Sequence, residues 1–149
     1  MMKGYIQILV LCCLSSLAIG QPSPWATLSM VDKTTKYDEF LGMETVSVTP
    51  GPVAKTLNQK EIEISGYMIA LDVKREQTHF MFSRYPQNMC FFCGAAGPES
   101  AMQVFMDNDV ELEHTTDKIV LRGILNVQQG DPTGLIYTLT QAKFLEALK

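Results

Sequence analysis

The stretch EIEISGYMIA, residues 61–70, has the clearest β-strand pattern in the chain. Ile62, Ile64, Gly66 and Met68 fall on one face, and charged or polar residues alternate with them over the first half. The second half is apolar on both faces, as in a strand that passes from a half-exposed position into a core. Gly66 in mid-strand indicates a bulge or a sharp bend, a feature that lets a sheet close into a barrel.

Four further segments have the composition or the alternation of β-strands. They are residues 45–49, 78–83, 118–127 and 135–144. The first is β-branched and stops at a Pro-Gly-Pro turn, and Gly123 lies within the 118–127 segment much as Gly66 lies within its own strand. In residues 25–41 the apolar residues have no regular spacing, and a short helix is expected around residues 36–41. The chain is therefore predicted to be rich in β-strands, with five of them forming the main sheet.

One short helix is expected between the third and fourth strands. Pro98 suits the first position of a helix, and Glu99 complements the positive end of the helix dipole. Its apolar side would consist of Ala101, Met102, Val104 and Phe105. Five strands with a helix between the third and fourth is the element order of an OB-fold barrel. We therefore predict an all-β, OB-fold-like five-stranded barrel with one short helix, and closed sandwiches with other connections are the alternative.

The N-terminus has the pattern of a secretory signal. Lys3 gives a positive start, residues 5–19 are apolar, and residues 18–20 fit a small-x-small cleavage site. The apolar run is short for a membrane span, so cleavage before Gln21 is expected, with an uncleaved anchor as the alternative. The expected organisation is a signal peptide at residues 1–20, an N-terminal leader at 21–42 and the barrel at 43–149. The mature chain would be periplasmic or secreted and would not span a membrane.

The charge balance of the chain excludes one class of partner. Twelve Lys and Arg residues stand against 16 Asp and Glu, a formal net charge of −4, and loss of Lys3 with the signal makes the balance more acidic. Phosphate contacts need a basic face, so a nucleic-acid partner is not expected. Anionic lipid surfaces are disfavoured for the same reason.

The pair Cys90 and Cys93 contains the only thiols expected after export, because Cys12 and Cys13 lie in the signal. Thiols at C-x-x-C spacing can close a small disulfide, exchange electrons or share a soft metal ion. In an oxidising compartment a structural disulfide is the simplest outcome. Gly94 stands where haem attachment would need a histidine, so that chemistry is excluded.

Three functions stay open for this thiol pair. The leading hypothesis is a non-enzymatic, exported binding protein whose loop binds zinc or copper, or acts as a redox-sensitive structural disulfide. His79 and Glu99 are the candidate ligands that would complete a metal site with Cys90 and Cys93. A thiol–disulfide oxidoreductase is the first alternative, although the strand-rich flanks differ from the helix N-terminus that lowers a thiol pKa.

The second alternative is a structural interaction module without chemistry. In that hypothesis Tyr85, Phe91 and Phe92 form a docking surface on the loop. The cysteines would then serve only to hold the turn.

From about residue 60 onward the chain resembles a family of small exported bacterial proteins with a domain of unknown function and an OB-like barrel. The matching segments are residues 66–69, 71–72, 83–86, 90–94, 97–100, 120–123, 131–132 and 135–137. The motif C-F-F-C-G-x-x-G-P-E-S is the specific part. The resemblance implies export, a barrel and no assigned reaction. It also implies a loose association with transport and metal-homeostasis systems, so that a membrane transport complex or another exported protein would be the partner. Residues 21–58 show no strong match.

Overall fold

The computed structural model describes residues 23–128 and 134–148. The expected signal at residues 1–20, with its cleavage site, and the matching segment at 131–132 lie outside these residues. In chain order the helices and strands are α1 (Pro24–Leu28), β1 (Val31–Asp38), β2 (Met43–Pro50), α2 (Pro52–Lys55), β3 (Lys60–Ile69), β4 (Glu76–Gln77), β5 (His79–Ser83), β6 (Ala101–Met106), β7 (Leu112–Glu113), β8 (Lys118–Val127) and β9 (Tyr137–Leu148). Short 3₁₀ turns at Gln87–Met89, Phe91–Cys93, Pro98–Ser100 and Asp107–Asp109 flank β6.

Five strands close a barrel in the order β3-β5-β6-β9-β8. Four of the pairings are antiparallel, and β6 pairs with β9 in parallel. Counted along the chain, the order of the barrel strands is 1-2-3-5-4, which is the strand order of an OB-fold. The predicted β-rich, OB-like five-stranded barrel is confirmed.

The helix expected from Pro98 onward is reduced to one 3₁₀ turn, Pro98–Ser100, and the residues after it form β6. In β6, Met102 lies opposite Phe82 of β5, and Val104 lies opposite Leu139 of β9. The apolar residues assigned to one side of a helix are thus those of a strand with a neighbour on each edge. A short apolar run fits either structure by its spacing alone, and here tertiary pairing decides.

The strand predicted at residues 45–49 is present, but it lies outside the barrel. As β2 it pairs with β1 in a two-stranded hairpin. The prediction of a short helix around residues 36–41 is wrong, because β1 continues to Asp38 and a tight turn follows. Asp38 Oδ1 accepts hydrogen bonds from the backbone N–H groups of Phe40 and Leu41 at 2.9 and 3.0 Å, and Gly42 has a φ of +65°.

The bulge expected at Gly66 is absent, since β3 pairs with β8 without a register shift there. Glycine is needed at this position for another reason. A Cβ at Gly66 would lie 2.5 Å from the carbonyl oxygen of Ser83 and 2.9 Å from the ring of Phe82. The register shifts lie elsewhere in the barrel: between Val120 and Leu121 and between Arg122 and Ile124 where β8 pairs with β9, and between Val104 and Met106 where β6 pairs with β9. Gly123 therefore lies at one of these irregularities.

The N-terminal segment is anchored in the barrel core. Trp25 and Leu28 of α1 are buried, and Trp25 Nε1 donates a hydrogen bond to the carbonyl oxygen of Ser65 in β3 at 2.8 Å. The hydroxyl of Tyr137, at the start of β9, donates to the carbonyl oxygen of Leu28 at 2.8 Å. These contacts place α1 over the barrel, beside the loop that carries the cysteines.

Candidate functional site at the Cys90–Cys93 loop

The cysteines lie in the connection between β5 and β6, residues 84–100, which we call the thiol loop. Its two ends meet, because the backbone N–H of Arg84 donates to the carbonyl oxygen of Ser100 at 2.9 Å. The backbone N–H of Tyr85 donates to Ser83 Oγ at 3.1 Å and fixes the first turn of the loop. The loop therefore leaves and re-enters the barrel at one point, and its conformation is set mainly by its own hydrogen bonds.

Two consecutive 3₁₀ turns place the thiols. Cys90 separates these turns, and the N–H of Cys93 donates to its carbonyl oxygen at 3.1 Å. Gly94 ends the second turn with a φ of +74°, and its N–H donates to the carbonyl oxygen of Phe91 at 2.9 Å. Since a positive φ favours glycine, the Gly that follows the C-x-x-C motif has a local structural role.

The two cysteines have different surroundings. Cys90 is 1% exposed and packs in a small apolar cluster with Ile69, Met81, Ala101 and Leu135. Cys93 is exposed. One thiol is thus held inside the protein, and the other faces solvent.

The two sulfurs are free thiols that face each other. Cys90 Sγ donates to Cys93 Sγ at 3.9 Å, and Cys93 Sγ donates in turn to the carbonyl oxygen of Gln87 at 2.9 Å. A disulfide bond is about 2.0 Å long, so the pair is close but not bonded. The hydrogen bond between the two thiols, followed by desolvation, raises the pKa of Cys93 above its ordinary value. A raised pKa lowers the fraction of reactive thiolate at neutral pH.

His79 lies on β5 and is engaged away from the thiols. Its ring stacks on the ring of Phe105 with centroids 4.1 Å apart, and its Nε2 is 3.2 Å from Gln103 Oε1. Glu99 lies at the other end of the thiol loop, where its Oε1 is 3.4 Å from Lys33 Nζ of the hairpin. Neither side chain needs a metal ion to account for these contacts.

The four predicted ligands are not assembled into one site. Across residues 23–128 and 134–148, no group of three or more His, Cys, Asp or Glu side chains could hold a metal ion. The thiol pair alone supplies two sulfur ligands, half of a tetrahedral zinc site. The metal site at Cys90, Cys93, His79 and Glu99 therefore stays a prediction.

The aromatic residues of the loop divide between core and surface. Phe91 packs against the apolar cluster around Cys90, whereas Phe92 is 50% exposed. Their rings meet edge to face with centroids 5.2 Å apart. Tyr85 carries the guanidinium of Arg84 over its ring, 5.5 Å from the centroid. The docking surface predicted from these residues is thus only partly available to a partner.

A pocket of about 340 Å³ that the sequence did not predict lies against the thiol loop. Its walls combine Ser29 after α1, Arg84 and Met89 from the start of the thiol loop, and Gly97 and Glu99 from its end. These residues are up to 70 positions apart, so no local motif marks the pocket. The local signal in this region is Gly97-Pro98-Glu99, which by its sequence alone predicts the start of a helix.

Together the fold and the loop define a small OB-type β-barrel protein with a free, half-buried dithiol. The sequence profile of a family described as "Protein of unknown function (DUF3299)" matches residues 24–144, so the chain belongs to this family. The uncharacterised family expected from the resemblance is confirmed. The match begins at residue 24, so it includes most of residues 21–58, where no strong match was expected.

Other comparisons add little. The crystal structure of a DUF3299 family protein from Pseudomonas aeruginosa PAO1 is similar, with a TM-score of 0.47 and 17% identity over 66% of this chain and 70% of that chain. No curated protein matches the chain. In the part of the chain that the structure describes, no helix is long and apolar enough to cross a membrane.

Proposed function

We propose that the protein is an exported, non-enzymatic binding protein whose thiol loop closes reversibly into a Cys90–Cys93 disulfide. The observation that carries this proposal is the 3.9 Å separation of two free sulfurs, one buried and one exposed. Rotation of one side chain can bring such sulfurs to bonding distance. The loop would then differ between reducing and oxidising conditions.

Closure is expected to move Cys93 rather than Cys90. Cys90 is fixed by the apolar cluster around it, whereas Cys93 is held outside by its hydrogen bond to the Gln87 carbonyl oxygen. In the reaction a disulfide of a partner protein is reduced to two thiols, and two electrons and two protons leave the pair as its S–S bond forms. The proposal therefore names a disulfide-bearing exported protein as the oxidant.

The surroundings of Cys93 favour a slow, sensing role over catalysis of disulfide exchange. An oxidoreductase uses an exposed thiolate with a lowered pKa, often at a helix N-terminus. Here the exposed thiol has a raised pKa and lies at the end of a three-residue 3₁₀ turn. Both features reduce its reactivity towards substrate disulfides at neutral pH.

Redox titration of the full chain tests the proposal. Trypsin cuts after Arg84 and Lys118 and at no site between them, so both thiols fall in one peptide, separate from Cys12 and Cys13. After equilibration in glutathione buffers of graded potential, acid quenching and alkylation, mass spectrometry of this peptide should show a two-electron transition. We expect a midpoint above about −300 mV, the range of labile rather than inert disulfides.

Cys93→Ser is the matched control, since the exposed position tolerates serine and the internal disulfide is lost. Its Cys90 should stay alkylatable after denaturation at every potential at which the parent peptide is oxidised. A midpoint far below −300 mV would identify a permanent structural bond and overturn the proposal. The reduced chain could instead retain one zinc or copper ion after dialysis, with both thiols protected from alkylation. That result would replace the redox proposal with the metal site.

A further inference from the structure

The pocket beside the thiol loop has a carboxylate in its wall. Glu99 is the only acidic residue among the lining residues, and its side chain is 16% exposed. One oxygen, Oε1, has a contact of 3.4 Å to Lys33 Nζ. The other, Oε2, is buried and receives no hydrogen bond from any residue that the structure describes. A desolvated carboxylate oxygen without a donor is unfavourable, so it calls for an explanation.

The hydroxyl groups near this carboxylate donate their hydrogen bonds to backbone carbonyl oxygens instead. Tyr137 donates to the carbonyl oxygen of Leu28 at 2.8 Å, and Ser100 donates to that of Gly97 at 2.6 Å. Arg84, the cation of the pocket, lies over the ring of Tyr85, and no ion pair of Arg84 is found within the described ranges. The protein thus brings a carboxylate to the pocket without giving its second oxygen a partner.

The backbone at Gly97 makes room for the carboxylate. A Cβ at this position would lie 2.6 Å from Cδ and from Oε1 of Glu99, closer than a real Cβ approaches. Only glycine therefore allows the Glu99 side chain to fold back against the loop. The small residues Ala95 and Ala96 continue this wall of the pocket. The arrangement holds the carboxylate at one place beside an open space.

We propose that this pocket binds a small molecule or a side chain with a single primary ammonium group, and that Glu99 is the anionic acceptor. An ammonium is a compact donor of three hydrogen bonds, which suits a carboxylate flanked by small residues. Rotation about the terminal bond alone would leave the other oxygen equally covered, so the Glu99 side chain has to turn for a ligand to reach Oε2. The contact of Oε1 with the exposed Lys33 opposes this movement only weakly. Arg84, which also lines the pocket, repels a second positive charge, and this favours a ligand with one cation.

Titration of the ¹⁵N-labelled full chain with n-butylammonium chloride tests this site by NMR. The backbone amides of Ala96, Gly97 and Ser100 should shift in a saturable way at millimolar concentrations. Equal concentrations of n-butanol and of tetramethylammonium should leave these amides unchanged, because the first lacks the charge and the second lacks the donors. n-Butylammonium at constant ionic strength is the probe for every variant.

Three variants separate the proposed contact from general effects. Glu99→Gln is nearly isosteric and should weaken binding tenfold or more, whereas Glu61→Gln, on the exposed part of β3, should not change it. Gly97→Ala retains the charge but displaces the carboxylate, so binding should also weaken. Lys33→Gln removes the competing ammonium on Oε1 and should tighten binding.

Equal shifts with n-butanol, shifts confined to other parts of the chain, or unchanged affinity in Glu99→Gln would each overturn the proposal. Should Gly97→Ala fail to fold, Glu99→Gln and Lys33→Gln still give opposite expected changes. Binding of n-butylammonium does not require the disulfide, so Cys93→Ser should keep it. Failure of the redox proposal and failure of this one are therefore distinguishable.

Discussion

At the scale of single residues, Tyr137 connects the barrel to the N-terminal helix and is fully buried. Burial, followed by the negative charge of Glu99, raises the pKa of its phenol above the ordinary value of 10.0. The folded protein therefore keeps this phenol neutral to a higher pH than the unfolded chain does. Stability from this difference is fully present below about pH 10 and is lost as the pH rises above it.

Tyr137→Phe should have two effects on the free energy of unfolding. Near pH 8 the substitution should lower the free energy of unfolding by about 1–3 kcal/mol, because the buried carbonyl oxygen of Leu28 loses its donor. Above pH 10 the free energy of unfolding of the parent protein should fall more steeply than that of the variant, by up to about 1.4 kcal/mol per pH unit. Urea unfolding from pH 8 to 11.5 measures both.

Tyr37→Phe is the matched control, because Tyr37 is 65% exposed on the hairpin. It should leave both the neutral stability and the alkaline slope unchanged. Parallel alkaline slopes for Tyr137→Phe and the parent would show that this phenol does not titrate differently on unfolding.

At the scale of elements, strands with a regular polar–apolar alternation were predictable, whereas β6, which is apolar on both faces, was not. Residues 118–127 were predicted with the bounds that β8 has, and the predicted strand at residues 61–70 is displaced by one residue at each end from β3. In both strands, at least part of one face is exposed, which leaves alternation in the sequence. In β6, Met102, Val104 and Met106 are buried on one face, but Ala101 and Phe105 on the other face are apolar too, so the sequence does not show the alternation. Ala101 and Met102 are also good helix formers, and their propensity supported the wrong element.

The hairpin β1–β2 should be the least stable part of the described sheet structure. Six of the eight residues of β1 are exposed, and two-stranded hairpins are marginal in water without a packed face. We expect native-state hydrogen exchange to be at least tenfold faster in the middle of the hairpin, at Thr34 and Ser47, than in β8, at Val120 and Leu121.

Exchange at the base of the hairpin should be slower than at its middle, because Val31 and Val48 pack against the barrel core. This gradient is an internal control for the measurement. Protection of Thr34 equal to that of Leu121 would mean that the hairpin opens only with the whole barrel.

At the scale of the whole molecule, the barrel was predictable and the location of the site was only partly so. Four of the five predicted strand segments lie in the barrel, and β6 takes the place of residues 45–49, so the fold class was predictable although the full set of barrel strands was not. The thiol pair was marked by its spacing, but the burial of Cys90 depends on Ile69, Met81 and Leu135 from three separate segments. The pocket with Glu99 depends on contacts across the chain in the same way, and no spacing rule contains them.

The same long-range contacts predict how the chain unfolds. α1 has five residues and no side-chain cap, so it should not be stable alone. Its Trp25 nevertheless stacks near Phe82 with centroids 6.4 Å apart and donates to the Ser65 carbonyl oxygen. We therefore expect α1 and the barrel to unfold as one cooperative unit. Trp25 is the only tryptophan, so its fluorescence reports on this contact alone.

Urea transitions followed by Trp25 fluorescence and by far-ultraviolet circular dichroism should coincide in midpoint and slope. Ser65→Ala is a suitable control, since it retains the carbonyl oxygen that accepts the Trp25 hydrogen bond and should leave the coincidence intact. Phe82→Leu should shift both midpoints together to lower urea, with a loss of about 1–1.5 kcal/mol in the free energy of unfolding, because it changes the core that α1 and the barrel share. A fluorescence transition at lower urea than the dichroism would show instead that the N-terminal segment detaches first, and that the barrel holds its thiol loop without it.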